Sequence, residues 1–311
     1  MARTRLRIGT RGSLLALRQS ENVKRDLESL WPDLQVELRI IKTTGDKILD
    51  VPLAKVGGKG LFVKEIEDAL LAGEVDLAVH SIKDVPSVLP EGLEIGAVPR
   101  REDPRDVLVL GKGKTLEDLP PGAAVGTSSL RRGAQLRRER PDIEVLNLRG
   151  NLDTRLRKLR EGRYDAVVLA AAGLHRMGWE DQITLYLDPS RFIPAVGQGA
   201  IGIEVRKDDP RVAARIRPLH DEATSLAIRA ERSLLKELEG GCQVPIGGHA
   251  RIENGRIRLS GLVASLDGME VHVISAEASI EEAEALGRRL AGELLEAGAR
   301  RILDEIYRNP G

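Results

Sequence analysis

VGTSSLRRGAQLRRERPDIEVLNLRGNLDTRLRKLREGR, running from Val125 to Arg163, decides how the rest of the chain is read. Two strand-like runs each pass through a short polar turn into a helix-like run. Val125-Gly-Thr127 leads through Ser128-Ser129 into Leu130-Arg131-Arg132, and Val145-Leu-Asn147-Leu-Arg149-Gly150 leads into Asn151-Leu-Asp-Thr-Arg155. That alternation is the signature of an α/β sheet. A helix N-terminus offers unpaired backbone N–H groups and a positive dipole end. Hydroxyls from Thr127, Ser128 and Ser129, with the guanidiniums of Arg131, Arg132, Arg149 and Arg155, turn such an end into a site for carboxylates or phosphates. The plainer alternative is a solvated helix face in an arginine-rich chain, and Arg137, Arg138, Arg157 and Arg160 are read that way.

Outward from this stretch the design recurs. Leu6-Arg-Ile8-Gly9-Thr10 reads as a strand, and Arg11-Gly12-Ser13 turns into a helix with Leu14, Leu17, Val23, Leu27 and Leu30 on one face. Arg11 and Ser13 therefore join the anion-site candidates. Val75 to Ser81 is a buried-type strand ending in Lys83-Asp84, with Pro86 to stop it. In open α/β sheets ligands bind beyond the carboxyl ends of strands. Asp84 is a candidate general acid or base there, with a turn-capping aspartate as the competing local reading. Thr43 to Gly60 shows no period and carries Lys55 and Lys59 on a glycine-rich support; a lid over an anion is preferred to an idle surface loop. RREDPRD at 100–106 reads as a hinge, and a second α/β set follows from Val107. Gly197-x-Gly199-x-x-Gly202 matches the dinucleotide fingerprint in form only. Ile201 to Arg206 alternates as a strand where that motif needs a helix, so its glycines mark a tight backbone path with Gln198 beside it. From about residue 220 a long helix, an antiparallel sheet with hairpin turns at Asn254-Gly255 and Asp267-Gly268, and closing helices suggest a separate α+β domain.

Composition narrows the ligand. The 311 residues suffice for two or three domains, 41% are hydrophobic and 31% charged, as in a globular protein. Basic and acidic residues balance at 48 each, so positive charge is local, and aromatics are only 2%. Nucleic acid is disfavoured on both counts. No run approaches membrane-spanning length and the N-terminal residues show no signal pattern, so a cytoplasmic location is expected. A single cysteine, Cys242, leaves no internal disulfide, and the five histidines lack ligand spacing, so no metal is expected. Cys242 is either a small buried hydrophobe or, on its Gly240-Gly241 loop, an exposed covalent tether.

The segments RIGTRGSLLAL at 7–17, LAKVGGKGLFVKE at 53–65, DLAVHSIKDVP at 76–86, REDPRD at 101–106, VGTSSLRR at 125–132, LRGN at 148–151, PAVGQGAIGIE at 194–204 and EGGCQVPIG at 239–247 resemble, in order and over essentially the whole chain, the porphobilinogen deaminases (hydroxymethylbilane synthases). The resemblance implies two doubly wound lobes like those of periplasmic binding proteins plus a small C-terminal α+β domain. Residues 1–99 with 200–217 would form the first, 105–193 the second and 220–311 the third. It implies a monomeric transferase that condenses four porphobilinogen units head to tail into hydroxymethylbilane, releasing ammonia, in haem and tetrapyrrole biosynthesis. A dipyrromethane cofactor would be tethered by a thioether to Cys242. By the same resemblance Lys83, Ser129, Arg131, Arg132 and Arg155 would hold the cofactor carboxylates. Arg11, Ser13, Arg149, Arg176 and Gln198 would bind substrate and growing chain. Asp84 would bind pyrrole N–H groups and assist catalysis, and Asp46, Lys55 and Lys59 would lie in the active-site loop. Thr44 stands where the resemblance leads one to expect a basic residue. An anion-binding protein of the periplasmic type, without catalysis, is the alternative; Asp84, the Cys242 loop and the lack of a signal pattern speak against it.

Overall fold

The computed structural model describes residues 4–47, 62–239 and 244–308. In chain order it contains β1 (Thr4–Thr10), α1 (Leu14–Leu30), β2 (Leu34–Ile40), a short α2 (Thr44–Lys47), α3 (Lys64–Leu71), β3 (Leu77–Ser81), a 3-10 turn at Ile82–Asp84 and β4 (Leu93–Ala97). Then follow β5 (Asp106–Leu110), β6 (Ala124–Gly126), α4 (Leu130–Glu139), β7 (Glu144–Leu146), α5 (Leu152–Arg160), β8 (Ala166–Ala170), α6 (Ala171–Met177), β9 (Leu185–Tyr186) and β10 (Ile201–Arg206). The remainder is α7 (Pro210–Ile216), α8 (Glu222–Glu237), β11 (Ile246–Glu253), β12 (Arg256–Ala264), β13 (Val271–Ser279), α9 (Ala283–Leu294) and α10 (Arg300–Arg308).

The described residues divide into two compact units, 4–47, 62–102 and 199–225 in one, and 103–198, 226–239 and 244–308 in the other. The first is built on a five-stranded sheet in the order β2-β1-β3-β10-β4. Along β1 and β3 the alternation sends Leu6, Ile8, Leu77 and Val79 to one face, where they meet Val23 and Leu27 of α1. Each such side chain, fully buried, contributes roughly 1.5–3 kcal/mol through removal from water. On the other face Ala78 of β3 packs with Ile66, Ala69 and Leu70 of α3. Ser13 caps α1, its hydroxyl accepting from the Ala16 N–H at 3.3 Å.

The second unit holds two sheets, a five-stranded β7-β6-β8-β5-β9 and a three-stranded antiparallel β11-β12-β13. The latter is covered by α8 and α9, whose Leu234, Leu286 and Leu290 pack on Ile257 and Leu259. It also meets α4, where Ala134 joins Ile193, Leu262 and Ala264 in one apolar cluster. The molecule is thus α/β in its two larger sheets with a small α+β part after them.

Alternating strands and helices argue for parallel sheets, and here the structure differs. β1, β2 and β3 run parallel, but β10 is antiparallel to both its neighbours, β3 and β4. β6, β7 and β8 run parallel, but β5 is antiparallel to β8 and β9. In both sheets the reversed strand is one not joined to its neighbour by a strand–helix–strand crossover, so nothing imposes a common direction. The glycine-rich run before β10 behaves as its sequence suggested. Gly197 and Gly199 have φ of +73° and +86°, and a Cβ on Gly202 would sit 2.5 Å from Ile82 Cδ1.

Candidate active site

In the first unit, β1 and β3 are parallel neighbours, so the turns that follow them open at the same sheet edge. Arg11 and Ser13 follow β1, and Lys83 and Asp84 form the 3-10 turn after β3. Asp84 is exposed and Lys83 half-buried. Ser81, at the end of β3, accepts at Oγ from Gln19 Nε2 of α1 at 3.1 Å, and the Ile82 N–H donates to the Ala200 carbonyl at 3.0 Å. Arg11 stacks its guanidinium 4.3 Å over the Phe62 ring, a contact that restrains a long cationic side chain. Thr44, in the place of an expected basic residue, donates through its N–H and Oγ1 to Glu65 Oε1 at 2.8 and 2.5 Å.

In the second unit the parallel strands β6, β7 and β8 likewise aim their following turns to one edge. That edge carries Ser129, Arg131 and Arg132 after β6, Arg149 and Arg155 after β7, and Arg176 in α6 after β8. Ser129 is the N-cap of α4: its Oγ accepts from the Arg132 N–H, while Thr127 Oγ1 accepts from the Ser129 N–H. Ser128 donates to the Leu148 carbonyl at 2.5 Å, joining the turns after β6 and β7. The turn at Arg149-Gly150 is pinned from α5, with Lys158 Nζ donating to the Arg149 carbonyl at 3.0 Å and Arg155 Nε to the Gly150 carbonyl at 2.8 Å.

Arg131 and Arg132 are buried, only 4% and 6% exposed. Both lean on Asp106, the first residue of β5, which is itself wholly buried. Arg131 Nη1 donates to Asp106 Oδ2 at 2.7 Å and to the Ile193 carbonyl at 2.7 Å. Arg132 Nε donates to Asp106 Oδ1 at 2.9 Å, its Nη1 to the Val168 carbonyl at 3.2 Å and its Nη2 to Gln198 Oε1 at 3.3 Å. Gln198 Nε2 completes the group, donating to Asp106 Oδ1 at 2.8 Å and to the Pro104 carbonyl at 2.7 Å. Burial alone would raise the Asp106 carboxyl, but the charges of Arg131 and Arg132 outweigh it and hold the group well below the usual carboxylate range. Burial pushes the Arg132 guanidinium down, with Asp106 opposing. Arg131 Nε is buried without a hydrogen-bond partner among the described residues.

Sequence reasoning missed Asp106, which closes a charge-rich stretch that reads as an exposed hinge. Its one signal is position: it directly precedes Val107-Leu-Val-Leu110, a fully apolar strand. Gln198, expected beside the substrate, lies in this buried group instead of standing alone. Of the arginines assigned to the surface, Arg157 and Arg160 are exposed, whereas Arg137 and Arg138 are half-buried and donate to the carbonyls of Leu266 and Arg191. Cys242, Lys55 and Lys59 lie outside the described residues, as does the side chain of Asp46.

Comparison with known proteins decides the family. Residues 6–214 match the family model "Porphobilinogen deaminase, dipyromethane cofactor binding domain", and residues 225–296 match "Porphobilinogen deaminase, C-terminal domain". The chain belongs to the porphobilinogen deaminase family. It is 67% identical to the porphobilinogen deaminase of Syntrophobacter fumaroxidans over 97% of this chain and 98% of that protein. Identity to the Geobacter sulfurreducens enzyme is 53%, over 99% of this chain and 96% of that one, and to the Geobacillus kaustophilus enzyme 52%, over 98% of each. Among solved structures, an amino-acid transporter extracellular-binding protein from Bacillus subtilis aligns at 14% identity with a TM-score of 0.42, covering 70% of this chain and 90% of that one. The periplasmic aliphatic sulphonate binding protein of Escherichia coli aligns at 18% identity with a TM-score of 0.39, covering 76% and 70%.

Membership of the family makes the chain an enzyme of tetrapyrrole synthesis with a dipyrromethane cofactor-binding domain over most of its length. The residues present suit such a group. Its acetate and propionate arms are carboxylates, and the edge after β6 and β7 supplies guanidiniums, a helix N-terminus and one buried N–H donor, Arg131 Nε, with no protein acceptor among the described residues. Among the described residues no helix is long and apolar enough to cross a membrane.

Proposed function

We propose that the protein is a transferase that joins four porphobilinogen units head to tail, releasing ammonia at each addition, to give hydroxymethylbilane. The observation that carries this reading is the buried, unpartnered Nε of Arg131 at the start of α4, inside the segment matched as the cofactor-binding domain. In each addition the aminomethyl C–N bond of one unit breaks and its methylene carbon bonds to the ring α-carbon of the preceding unit. The proton displaced from that ring carbon balances the amine that leaves as ammonia, and water supplies the hydroxyl when the bond holding the finished four-unit chain is cleaved. A bound dipyrromethane supplies the pyrrole chain end on which additions begin, and Cys242 is its proposed thioether anchor.

The chain's own residues bind, orient and move protons. Ser129, Arg131, Arg132, Arg155 and Lys83 hold cofactor carboxylates, and forked guanidiniums suit them because each can grip a carboxylate with two parallel N–H groups. Arg11, Ser13, Arg149, Arg176 and Gln198 serve the substrate and the growing chain, with Asp46, Lys55 and Lys59 in the loop near them. Asp84 accepts from pyrrole N–H groups, its negative charge favouring the cationic methylene that forms as the amine departs, and it takes up the ring proton afterwards. Its exposure at the end of β3 suits this use, because the carboxylate must reach a mobile substrate. The reading places the enzyme in the cytoplasm as a monomer.

Asp84→Asn tests the assignment. The variant should retain the cofactor mass, while steady-state turnover falls by at least about 100-fold, the scale of a lost acid–base group. Turnover at the parent rate would contradict the role of Asp84.

A further inference from the structure

We propose that Asp106 is a positioning residue that fixes both cofactor-facing guanidiniums, Arg131 and Arg132, so that Arg131 Nε stays turned toward a ligand carboxylate. The inference rests on the functional reading above and concerns a residue outside that set of binding groups.

The geometry carries it. Asp106 starts β5, while Arg131 and Arg132 lie in the first turn of α4, so one buried carboxylate ties a strand end to a helix start. Its Oδ2 takes Arg131 Nη1 at 2.7 Å; its Oδ1 takes Arg132 Nε at 2.9 Å and lies 2.8 Å from Arg132 Nη2. Consecutive helical residues point about a third of a turn apart. Two neighbouring guanidiniums therefore reach a common acceptor only if it sits on the helix flank between them. Gln198 Nε2 at 2.8 Å from Oδ1 prevents Asp106 from rotating, and Gln198 Oε1 takes an Arg132 donor in return. The backbone supplies a further brace: the Ile193 carbonyl takes Arg131 Nη1 and Gln135 Nε2, and Gln135 Oε1 takes the Ile193 N–H.

Stability alone does not account for this construction. A buried cluster of ions is commonly no more stabilising than apolar side chains of the same volume. Among the described residues two guanidiniums pair here with one carboxylate, leaving net positive charge in a buried site, and one of their N–H groups, Arg131 Nε, has no acceptor. A ligand carboxylate meets both deficits, giving the missing negative charge and the missing acceptor. Asp106 thereby sets which guanidinium edge faces the ligand, while one carboxylate short of neutrality keeps the site selective for an anion.

Two measurements test this. The first compares the parent with Asp106→Asn and Asp106→Glu, following cofactor loading of cofactor-free protein by intact mass, with kcat and KM for porphobilinogen. Both variants should fold with the parent's secondary structure yet load at least about tenfold more slowly. Asp106→Glu should fail to rescue, because its carboxylate is displaced by one methylene although its charge is kept. Parent-like loading in folded Asp106→Asn, or full rescue by Asp106→Glu, would overturn the positioning role. A parent protein that carries no dipyrromethane at all would instead sink the functional reading on which the proposal rests. The second measurement uses unaltered protein and stays decisive should the variants not fold. In arginine side-chain NMR, with signals assigned through Arg131→Lys and Arg132→Lys, the Arg131 Nε–H signal should shift on cofactor loading. An Arg131 signal unmoved by loading would refute the proposal.

Discussion

At Gly150 the backbone takes φ of +114°, and a Cβ there would sit 2.7 Å from Thr154 Cγ2. The turn after β7 needs this conformation, since it brings the Gly150 carbonyl to Arg155 Nε and the Arg149 carbonyl to Lys158. Gly150→Ala is expected to cost about 1–2 kcal/mol through the left-handed backbone alone, plus the displacement of Thr154. A lowered midpoint in chemical unfolding checks the first effect, and a raised KM for porphobilinogen checks the accompanying shift of Arg149. Asp106 shows the opposite case, a residue that local sequence marks only by its place just ahead of an apolar strand. Its neighbours in sequence, Arg101 to Arg105, are charged and proline-interrupted, and only long-range packing buries it against Arg131 and Arg132.

The elements around Asp84 contain a second set of buried ionisable groups. On the face of β3 turned to α3, His80 Nε2 lies 2.9 Å from Glu204 Oε2 of β10, close in distance but without hydrogen-bond alignment, and Glu67 of α3 is buried nearby. Burial first, and then the charge of Glu204, push the Glu67 carboxyl up to about 7, with His80 opposing. Because the folded value lies above the unfolded one, protonated Glu67 favours the fold fully below about pH 4.5, and that contribution is lost as pH rises through about 7. Glu67→Gln should remove this slope and stabilise the protein at pH 8 by on the order of 1–3 kcal/mol. Denaturant midpoints measured from pH 5 to 8 decide it; an unchanged slope in the variant would contradict the burial argument. β3, α3 and β10 were themselves legible, from an apolar run, a helical period and strict alternation. That the three bring Glu67, His80 and Glu204 together was not, because antiparallel pairing of β10 with β3 is a long-range event that a local pattern does not encode.

For the whole molecule, the sequence carried the layer architecture and misjudged strand direction. Period and turn chemistry are local, so β1, β3, β6 and their following helices could be read directly, and with them the edges that hold Arg11, Lys83, Asp84, Ser129, Arg149 and Arg155. Which candidates turn inward was invisible: Arg131, Arg132 and Gln198 belong to one buried group organised by Asp106. What distinguishes the proposed reaction is a pyrrole chain built on a cofactor attached to the protein itself. The most direct measurement is the intact mass of the denatured protein, before and after brief exposure to porphobilinogen. The expected mass exceeds that of the sequence by one dipyrromethane, an excess lost in Cys242→Ser, with further pyrrole units added after exposure. A fully active protein at the bare sequence mass would contradict it.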